Sequence, residues 1–393
     1  MSMFQESAPM KIPLQRDLFE IPDEVTYLNC ANLSPQLRSV SAAGLDSIAL
    51  KKSPWKINPP EWFSGAETLR ELAAKVIGAD ADGIALVPSV SYGIAIAAAN
   101  TPVERGQSIV LLHEEYPSNY YAWKELAQRR EADIRIVRRS VDGSWTQAVL
   151  ESIDQTTAVV SAPNCHWTDG SLIDLEQVGE RARSVGASLV IDASQSLGAY
   201  PLDIAKVQPD FLVSVGYKWL MGPYALGYLY AAPKWRESGK PIENSWLARA
   251  GSENFASLVD YRDEYRAGAR RFDMGEFPNF VLAPMAVAAL KQILEWKVEN
   301  IQHTLAALTG LVAREAAKLG CASLPSSHRV NHMIGIRLPG GAPAGLGERL
   351  AEAKIFVSIR GDAVRIAPHL YNDESDIEKL FTFILMATQY LRS

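Results

Sequence analysis

Short apolar runs alternate with helical patterns between residues 64 and 232. The helical patterns repeat apolar residues every three or four positions, whereas the runs between them have the continuous hydrophobicity of strands that are buried on both faces. This alternation predicts an α/β fold in which helices cover both faces of a mostly parallel sheet. The predicted helices are 64–77, 92–99, 120–129 and 175–184, and the predicted strands are 84–87, 108–112, 134–137, 158–161, 189–191, 211–215 and 225–232.

The two ends of the chain follow other patterns. The first 30 residues are rich in proline and polar residues and end in a strand-like run at 25–29. We expect this N-terminal segment (1–30) to pack with a small domain, and we expect a large domain at 31–280 and a smaller α+β domain at 281–393. The later predicted elements are a helix at 283–319 interrupted near 299–300, strands at 332–338, 355–359 and 363–367, and a closing helix at 374–391, all after a polar stretch at 234–278.

Composition and charge narrow the function classes. With 393 residues the chain exceeds the size at which a single hydrophobic core stops growing, which favours two domains. The net charge of −6 gives no electrostatic reason to expect nucleic acid as a partner. The sequence has neither an apolar run of about 18 residues nor a signal-peptide pattern at its start. We therefore expect a cytoplasmic protein with no membrane partner.

The cysteines and histidines predict no metal site. Cys30, Cys165 and Cys321 are odd in number and far apart, so they indicate neither a disulfide framework nor a zinc site. The histidines have no HExxH spacing, and His328 and His332 flank a segment typical of the start of a strand. We interpret the three cysteines as buried and inert, with Cys165 placed so that it can line a pocket.

A carboxylate and a lysine follow two of the predicted strands. Asp192 comes directly after the run 189–191, and Lys218 comes three residues after the run 211–215. Because the carboxyl ends of parallel strands open into the crevice where α/β sheets bind ligands, we expect both side chains in one cleft. This pair suits pyridoxal 5′-phosphate (PLP): the lysine forms a Schiff base with its aldehyde, and the carboxylate keeps its pyridine nitrogen protonated.

A long ordered pattern surrounds both residues. Its segments are IDASQSLG (191–198), PLD (201–203), DF (210–211) and YKWLMGP (217–223). Together they resemble the cofactor signature of class V aminotransferases, a family of fold-type I PLP enzymes that also includes cysteine desulfurases, kynureninases and isopenicillin N epimerase-like proteins. Weaker similarity extends from residue 27 to residue 372. The resemblance implies a large sheet of the seven-stranded type, a small amino acid as substrate, and a homodimer.

The resemblance also assigns residues to the cofactor ring. Lys218 would carry PLP and later act as the base, and Asp192 would pair with the pyridine nitrogen. Gln195 and Asn164 would contact the side of the ring that bears the hydroxyl, although a local turn bond is an alternative role for Asn164. Tyr116 would stack on the ring.

The cofactor phosphate is assigned to a turn between a strand and a helix. The segment PSVSYG (88–93) matches the family's phosphate-binding turn, in which backbone N–H groups at Val90 and Ser91 would bind the anion at a helix N-terminus. Ser91 is also a good helix N-cap, so its structural and functional roles overlap. Tyr217 and, with weaker support, Ser214 match further positions near the phosphate.

The substrate is predicted to bind through arginine. Arg365 matches the family's small-domain arginine that holds the substrate carboxylate, and we expect the nearby Arg360 to share this role, since a planar guanidinium suits bidentate binding. In relatives, a Thr or Ser from one subunit reaches the phosphate site of the other subunit. This sequence has Glu276 at that position, and its negative charge would repel phosphate. Residues that we expect near the substrate side chain are Asn29, His166 and Trp167, of which Trp167 suits a core position equally well.

Several reactions share these cofactor residues. Cysteine desulfurases carry a nucleophilic cysteine on a loop before the carboxylate-binding arginine, but the interval 359–365 is short and has no cysteine, which disfavours persulfide chemistry. We expect transamination, with a lyase reaction on the side chain or an epimerisation as alternatives.

The sequence argues against two other protein classes. A non-catalytic binding protein with this fold would not need Lys218, Asp192 and Arg365. A nucleotide-binding α/β protein would need GxGxxG or GxxxxGK[ST] after a strand, and the sequence has neither.

Overall fold

The computed structural model describes residues 8–140 and 143–389. Its strands are β1 (Thr26–Tyr27), β2 (Ile84–Val87), β3 (Ser108–Leu112), β4 (Asp133–Val137), β5 (Thr157–Ser161), β6 (Ser188–Asp192), β7 (Phe211–Val215), β8 (Gly227–Ala231), β9 (Ala322–Ser323), β10 (Ile334–Arg337), β11 (Ile355–Phe356), β12 (Ser358–Arg360) and β13 (Ala363–Ile366). Its helices are α1 (Arg38–Leu50), α2 (Glu61–Ile77), α3 (Val90–Asn100), α4 (Pro117–Arg130), α5 (Thr146–Ser152), α6 (Leu175–Ser184), α7 (Ile204–Val207), α8 (Pro233–Ser238), α9 (Leu282–Trp296), α10 (Val298–Lys318), α11 (Leu346–Glu352) and α12 (Glu374–Gln389).

The large sheet has seven strands in the order β2-β8-β7-β6-β5-β3-β4. Only β8 runs against the others, because it pairs antiparallel with both β2 and β7. Every residue of β2, β3 and β5 to β8 is buried, because α3 and α4 pack on one face and α2, α5 and α6 pack on the other. The continuous hydrophobicity of these strands therefore has the predicted cause, and the mostly parallel sheet is confirmed.

A smaller antiparallel sheet, in the order β12-β13-β10-β9, lies toward the C-terminal end of the chain. It packs in one hydrophobic cluster with α10 and α12. The N-terminal segment joins the same cluster: β1 pairs in parallel with β11, and Asn29 forms a β-bridge to Ala367. The Thr26 hydroxyl also donates a 2.9 Å hydrogen bond to Asp376. Residues near both ends of the chain are thus fastened to the small sheet.

The polar stretch 234–278 is held in place both by ion pairs and by buried residues such as Phe272 and Phe277, which join the hydrophobic clusters of the large sheet. The buried guanidinium of Arg70 pairs with the buried carboxylate of Asp273. Asp273 also accepts a 2.8 Å hydrogen bond from the backbone N–H of Leu86 in β2. This connection fixes the end of the strand that leads into the predicted phosphate turn.

Some boundaries differ from the prediction. The helix expected at 283–319 is broken at Lys297, which has φ of 64° and separates α9 from α10, two residues before the expected interruption. The strand expected at 355–359 divides into β11 and β12, which join two different sheets. The end of the predicted closing helix, at 390–391, lies outside the described residues. None of the described helices combines the length and apolar character needed to cross a membrane.

Candidate active site

A cavity of about 200 Å³ opens at the carboxyl ends of the central strands. The turn after β2, the start of α4 and the segments that follow β5, β6 and β7 all contribute to its wall. The lining residues are Pro88, Ser89, Val90, Ser91, Glu115, Tyr116, Ser118, Pro163, Cys165, Trp167, Asp192, Ser194, Gln195, Val215, Tyr217, Lys218, Tyr224 and Ala225.

The predicted carboxylate and amine face this one cavity. Asp192 ends β6 and lies opposite Val213 of the neighbouring strand β7, which leads to Lys218. Burial raises the pKa of the Asp192 carboxyl, while hydrogen bonds from Ser194 and the positive charge of Lys218 oppose that shift. Burial lowers the pKa of the Lys218 ammonium to about 8, partly offset by Asp192. Both are therefore buried ionisable groups whose charged forms a ligand of complementary charge would favour.

Two of the predicted ring contacts are oriented by the surrounding protein. The Tyr116 ring packs edge-on against Trp167 at 5.5 Å, and its centroid lies 5.6 Å from Lys218 Nζ. The Gln195 side chain is held by two 3.0 Å hydrogen bonds: its Nε2 donates to the carbonyl of Ala31, and its Oε1 accepts from Trp219 Nε1. Tyr116 and Gln195 thus reach the cavity in fixed orientations.

Gln195 is also fastened through its backbone. Its carbonyl lies 2.7 Å from His332 Nε2, and His332 Nδ1 lies 3.0 Å from Gln302 Nε2. Since burial lowers the pKa of His332 to about 4, this imidazole is neutral at physiological pH. One neutral histidine therefore links the large sheet's Gln195 to the part of the chain that forms the small sheet.

Asn164 is a buried side chain between Pro163 and Cys165, which line the cavity, although Asn164 itself does not. It is 2% exposed, and neither its Oδ1 nor its Nδ2 has a hydrogen-bond partner within the described residues. Buried polar atoms are rarely left unpaired in folded proteins, because each costs about 1–3 kcal/mol. The proposed local turn bond of this side chain is not observed, and a ring hydroxyl of a bound cofactor would satisfy it.

In the predicted phosphate turn, the residue that caps α3 differs from the expected one. Ser89, not Ser91, is the N-cap of α3, since its hydroxyl accepts from the N–H of Tyr92 at 3.2 Å. Ser91 is the second residue of the helix, and its hydroxyl lies 2.8 Å from that of Ser89. The first N–H groups of a helix have no partner within it, so those of Val90 and Ser91 are available to an anion.

A glycine brings this helix close to the lysine-bearing strand. A Cβ on Gly93 would lie 2.5 Å from Val213 Cγ1, so any larger residue there would push α3 away from β7. Tyr217 lines the cavity and packs on Tyr224 at 4.5 Å. The side chain of Ser214 does not line the cavity and donates to the carbonyl of Val215 at 3.2 Å. Side chains alternate along a strand, so the cavity position falls to Val215.

The two predicted substrate arginines do not line the cavity themselves, but both approach Trp167, which does. Arg365 is 1% exposed and donates a 2.7 Å hydrogen bond to the carbonyl of Trp167, while its Nε has no partner within the described residues. Arg360 is partly exposed, and its guanidinium lies 5.8 Å from the centre of the Trp167 ring. Burial lowers the pKa of Arg365, and repulsion by Arg360 lowers it further.

Two of the predicted substrate contacts point elsewhere. His166 is fully buried, stacks on Trp145 at 5.1 Å, and has both ring nitrogens near protein oxygens, those of Thr168 and His113. Asn29 accepts from the hydroxyl of Ser358 at 2.8 Å. Neither lines the cavity, whereas Trp167 does.

Glu115 and Ser194 are polar residues of the cavity wall that were not among the predicted site residues. The backbone N–H of Ser194 donates to Asp192 at 3.0 Å. Glu115 is buried, its Oε1 accepts from the N–H of Tyr116 at 2.7 Å, and its Oε2 has no partner within the described residues. Burial, together with the charge of Asp192, raises its pKa to about 8. Glu115 is therefore mostly a neutral carboxylic acid at physiological pH.

Glu115→Gln is expected to flatten the pH dependence of stability of the cofactor-free protein. Because the pKa rises from 4.5 to about 8 on folding, the folded state holds a proton that the unfolded chain releases. The contribution of this proton to the free energy of unfolding is complete below about pH 4.5 and is lost as the pH rises to about 8. The loss amounts to several kcal/mol, since one pKa unit is worth about 1.4 kcal/mol. Glutamine cannot ionise. Urea denaturation at about pH 5 and about pH 9 measures the difference.

Glu114→Gln is the matched control for this prediction, because Glu114 is the adjacent residue and is exposed. It should keep the pH dependence of the unmodified protein. If Glu115→Gln loses as much stability between the two pH values as the control does, then the protonated carboxyl is not at Glu115.

Comparison with known proteins identifies the family to which the chain belongs. A family model described as class V aminotransferase matches residues 61–380. The chain belongs to the class V aminotransferase family. This family is PLP-dependent, so the family, the fold type and the cofactor inferred from the sequence are confirmed.

The relatives of this class V enzyme are named for different reactions. An uncharacterized aminotransferase, YcbU, of Bacillus subtilis is 27% identical over 92% of this chain and 94% of the relative. An isopenicillin N epimerase of Streptomyces clavuligerus is 26% identical over 79% of this chain and 81% of the relative. The apo structure of a cysteine desulfurase from Thermococcus onnurineus superposes with a TM-score of 0.82 at 20% identity, covering 96% of this chain and 98% of that one. Family membership therefore leaves the reaction type open.

Proposed function

We propose that this class V enzyme catalyses transamination of a small amino acid, with PLP bound between Lys218 and Asp192. The observation that carries the proposal is that one cavity receives a buried amine and a buried carboxylate from the ends of two adjacent strands. This arrangement allows one group to take up the aldehyde end of the cofactor and the other to pair with its pyridine nitrogen.

The chain offers a partner for each polar part of the cofactor. Bound PLP supplies an aldehyde that captures the substrate amine and a protonated pyridine that withdraws electrons from it. The unpartnered amide of Asn164 fits the ring hydroxyl, and the N-terminus of α3 fits the phosphate. The residues that we propose to hold the cofactor are Lys218, Asp192, Gln195, Asn164, Tyr116, Tyr217, Val90 and Ser91.

Lys218 is suited to move the proton of the reaction. With a pKa lowered to about 8, a useful fraction of its Nζ is uncharged near neutral pH and can accept a proton from the substrate Cα. Burial is the main cause, and repulsion from Arg365 and Arg360 acts in the same direction. Transamination requires a group that takes a proton and returns it on the same face. Lys218 is proposed for both tasks.

Arg365 is proposed to bind the α-carboxylate of the substrate. Its guanidinium is buried and forms no ion pair with any carboxylate in the described part of the chain. An uncompensated buried charge is unfavourable, and an incoming carboxylate would offset that cost. Binding to Arg365 would also orient the amino acid toward Lys218, on which Arg365 acts electrostatically.

Desulfuration through a protein cysteine is disfavoured. Cys30, Cys165 and Cys321 are all buried, and burial raises the pKa of each thiol, which reduces the thiolate available as nucleophile. Cys165 lines the cavity as expected, but its Sγ contacts the carbonyl of His166 at 4.0 Å. The hairpin between β12 and β13 turns at Gly361 and Asp362 and carries no cysteine.

Epimerisation is the second candidate, and two observations favour it. An isopenicillin N epimerase is similar over most of the chain. Inversion at Cα requires a proton donor other than the base, and Glu115 is a cavity-lining carboxyl with a pKa of about 8 that can supply one.

Single-turnover spectroscopy with a panel of amino acids tests the proposed function. The PLP-loaded enzyme is mixed with each amino acid, and the products are analysed for keto acid, released side-chain fragment and inverted enantiomer. Transamination predicts one equivalent of keto acid per active site, together with a persistent change in the visible spectrum. Inverted amino acid without keto acid would establish epimerisation instead, and a released fragment would establish a lyase.

A further inference from the structure

We propose that Arg360 binds a second anionic group of the substrate, so that the preferred substrates are amino acids whose side chain ends in a carboxylate, sulfinate or sulfonate. The inference rests on the proposed function, in which Arg365 takes the α-carboxylate. It assigns Arg360 a role in side-chain specificity instead of the shared role expected from the sequence.

The first support is that two guanidiniums, those of Arg365 and Arg360, approach Trp167, which lines the cavity. Burial is the main cause that lowers the pKa values of Lys218 and Arg365, and repulsion by Arg360 lowers both further. Asp192 is committed to the pyridine nitrogen in the proposed function. One α-carboxylate can neutralise one guanidinium, which leaves the other without a counter-charge.

The second support is that the protein supplies Arg360 only with neutral partners. Its Nη1 donates to the carbonyl of Ile359 at 2.9 Å, and its Nη2 donates to the amide oxygen of Asn32 at 3.3 Å. No carboxylate of the described residues lies within 4.0 Å of its nitrogens. Asp362, two residues further on, pairs instead with Arg337 at 2.9 Å. Glu114, whose Oε1 would lie 4.0 Å from a Cβ placed on Gly361, forms no ion pair with Arg360.

The third support is that the two guanidiniums contact different parts of Trp167. Arg365 reaches the backbone carbonyl from the buried side, and Arg360 lies over the indole ring at the partly exposed side. Trp167 itself is fixed, because its Nε1 donates to the carbonyl of Glu114 at 2.7 Å. An α-carboxylate at the deep arginine would therefore leave the outer arginine to a group further along the substrate.

Isothermal titration calorimetry with unreactive acids tests the inference on the PLP-loaded enzyme. Glutarate has two carboxylates, and pentanoate replaces one of them with a methyl group on a chain of the same length. We expect glutarate to bind at least about tenfold more tightly than pentanoate, as is typical for one charged hydrogen-bonded contact. Arg360→Gln should remove this preference while leaving pentanoate affinity unchanged within about twofold.

Three further variants complete the test. Arg365→Gln should weaken both acids, because both use the deep arginine. Arg360→Lys should keep part of the preference, since it retains the charge but not the planar guanidinium. Arg314→Gln, on the exposed face of α10, is the matched control for loss of one positive charge and should bind both acids normally.

Two results would overturn the inference: equal affinity for glutarate and pentanoate, or an Arg360→Gln variant that weakens both acids equally, which would mean that both arginines share one carboxylate. The proposed function has a separate readout, the visible spectrum after addition of amino acids. A spectral response without a glutarate preference rejects only the inference. A glutarate preference lost in Arg360→Gln, without any turnover, rejects only transamination.

Discussion

Asp192→Asn is expected to reduce turnover by roughly a hundredfold or more while PLP still binds to Lys218. Asp192 is the buried carboxylate that we propose opposite the pyridine nitrogen. An interaction of about 3 kcal/mol with the protonated nitrogen corresponds to two pKa units of that nitrogen. Its loss lowers the protonated fraction of the cofactor, and with it the turnover, by about a hundredfold. Asparagine keeps the shape but not the charge. Steady-state kinetics combined with the visible spectrum separate lost catalysis from lost cofactor.

Asp174→Asn is the matched control, since Asp174 caps α6 outside the cavity and asparagine is an equally good N-cap. It should preserve both activity and stability. Turnover of Asp192→Asn similar to that of the control would contradict a role of Asp192 in the electron sink. Loss of bound PLP in Asp192→Asn, with turnover restored by excess cofactor, would assign the residue to binding alone.

Lys218→Ala is expected to abolish the visible absorbance of lysine-bound PLP and to lower turnover by roughly 10²–10⁴-fold, the usual contribution of a positioned acid–base group. The variant loses both the amine that holds the aldehyde and the base that accepts the Cα proton. Absorbance spectra after dialysis against PLP measure the first loss, and single-turnover rates measure the second.

In the cofactor-free protein, the same substitution should increase the stability at neutral pH. The folded-state pKa of Lys218 is lowered from 10.5 to about 8, so the unfolded chain binds the proton more tightly between these values. The stability linked to this group is present above about pH 10.5 and is lost as the pH falls through 8. Cofactor-free Lys218→Ala should therefore resist urea better than the unmodified protein at about pH 7. A less stable variant would contradict the burial cost assigned to Lys218.

Much of the fold was predictable because its central strands are uniformly apolar. The predicted bounds of β2, β3 and β7 agree with the structure. Helix α1 was not predicted, since its N-cap, Leu37, provides no side-chain hydrogen bond and only Val40, Gly44 and Ser47 are buried. Lys297 ends α9 with a φ of 64°, a positive value that lysine rarely adopts, so no residue type marks this break.

The candidate site was predictable where one residue type performs one chemical task. Asp192 and Lys218 follow recognisable strands, and both reach the cavity. The capping role was assigned to Ser91 instead of Ser89 because both serines fit the same signal and only the start of the helix separates them. Glu115 gave no signal, because a carboxylate in a loop is normally exposed and only the folded chain shows its burial.

The hydrogen bonds of Gln195 connect the proposed cofactor site to distant parts of the chain. One residue beside the proposed ring hydroxyl is tied to Ala31 near the N-terminus, to Trp219 next to the reactive lysine, and through His332 to the small sheet. A ligand that immobilises Gln195 thereby restrains three distant stretches of polypeptide at once. Ligand binding in the cavity and unfolding of these three stretches are then thermodynamically linked, so that a bound ligand makes their unfolding more cooperative.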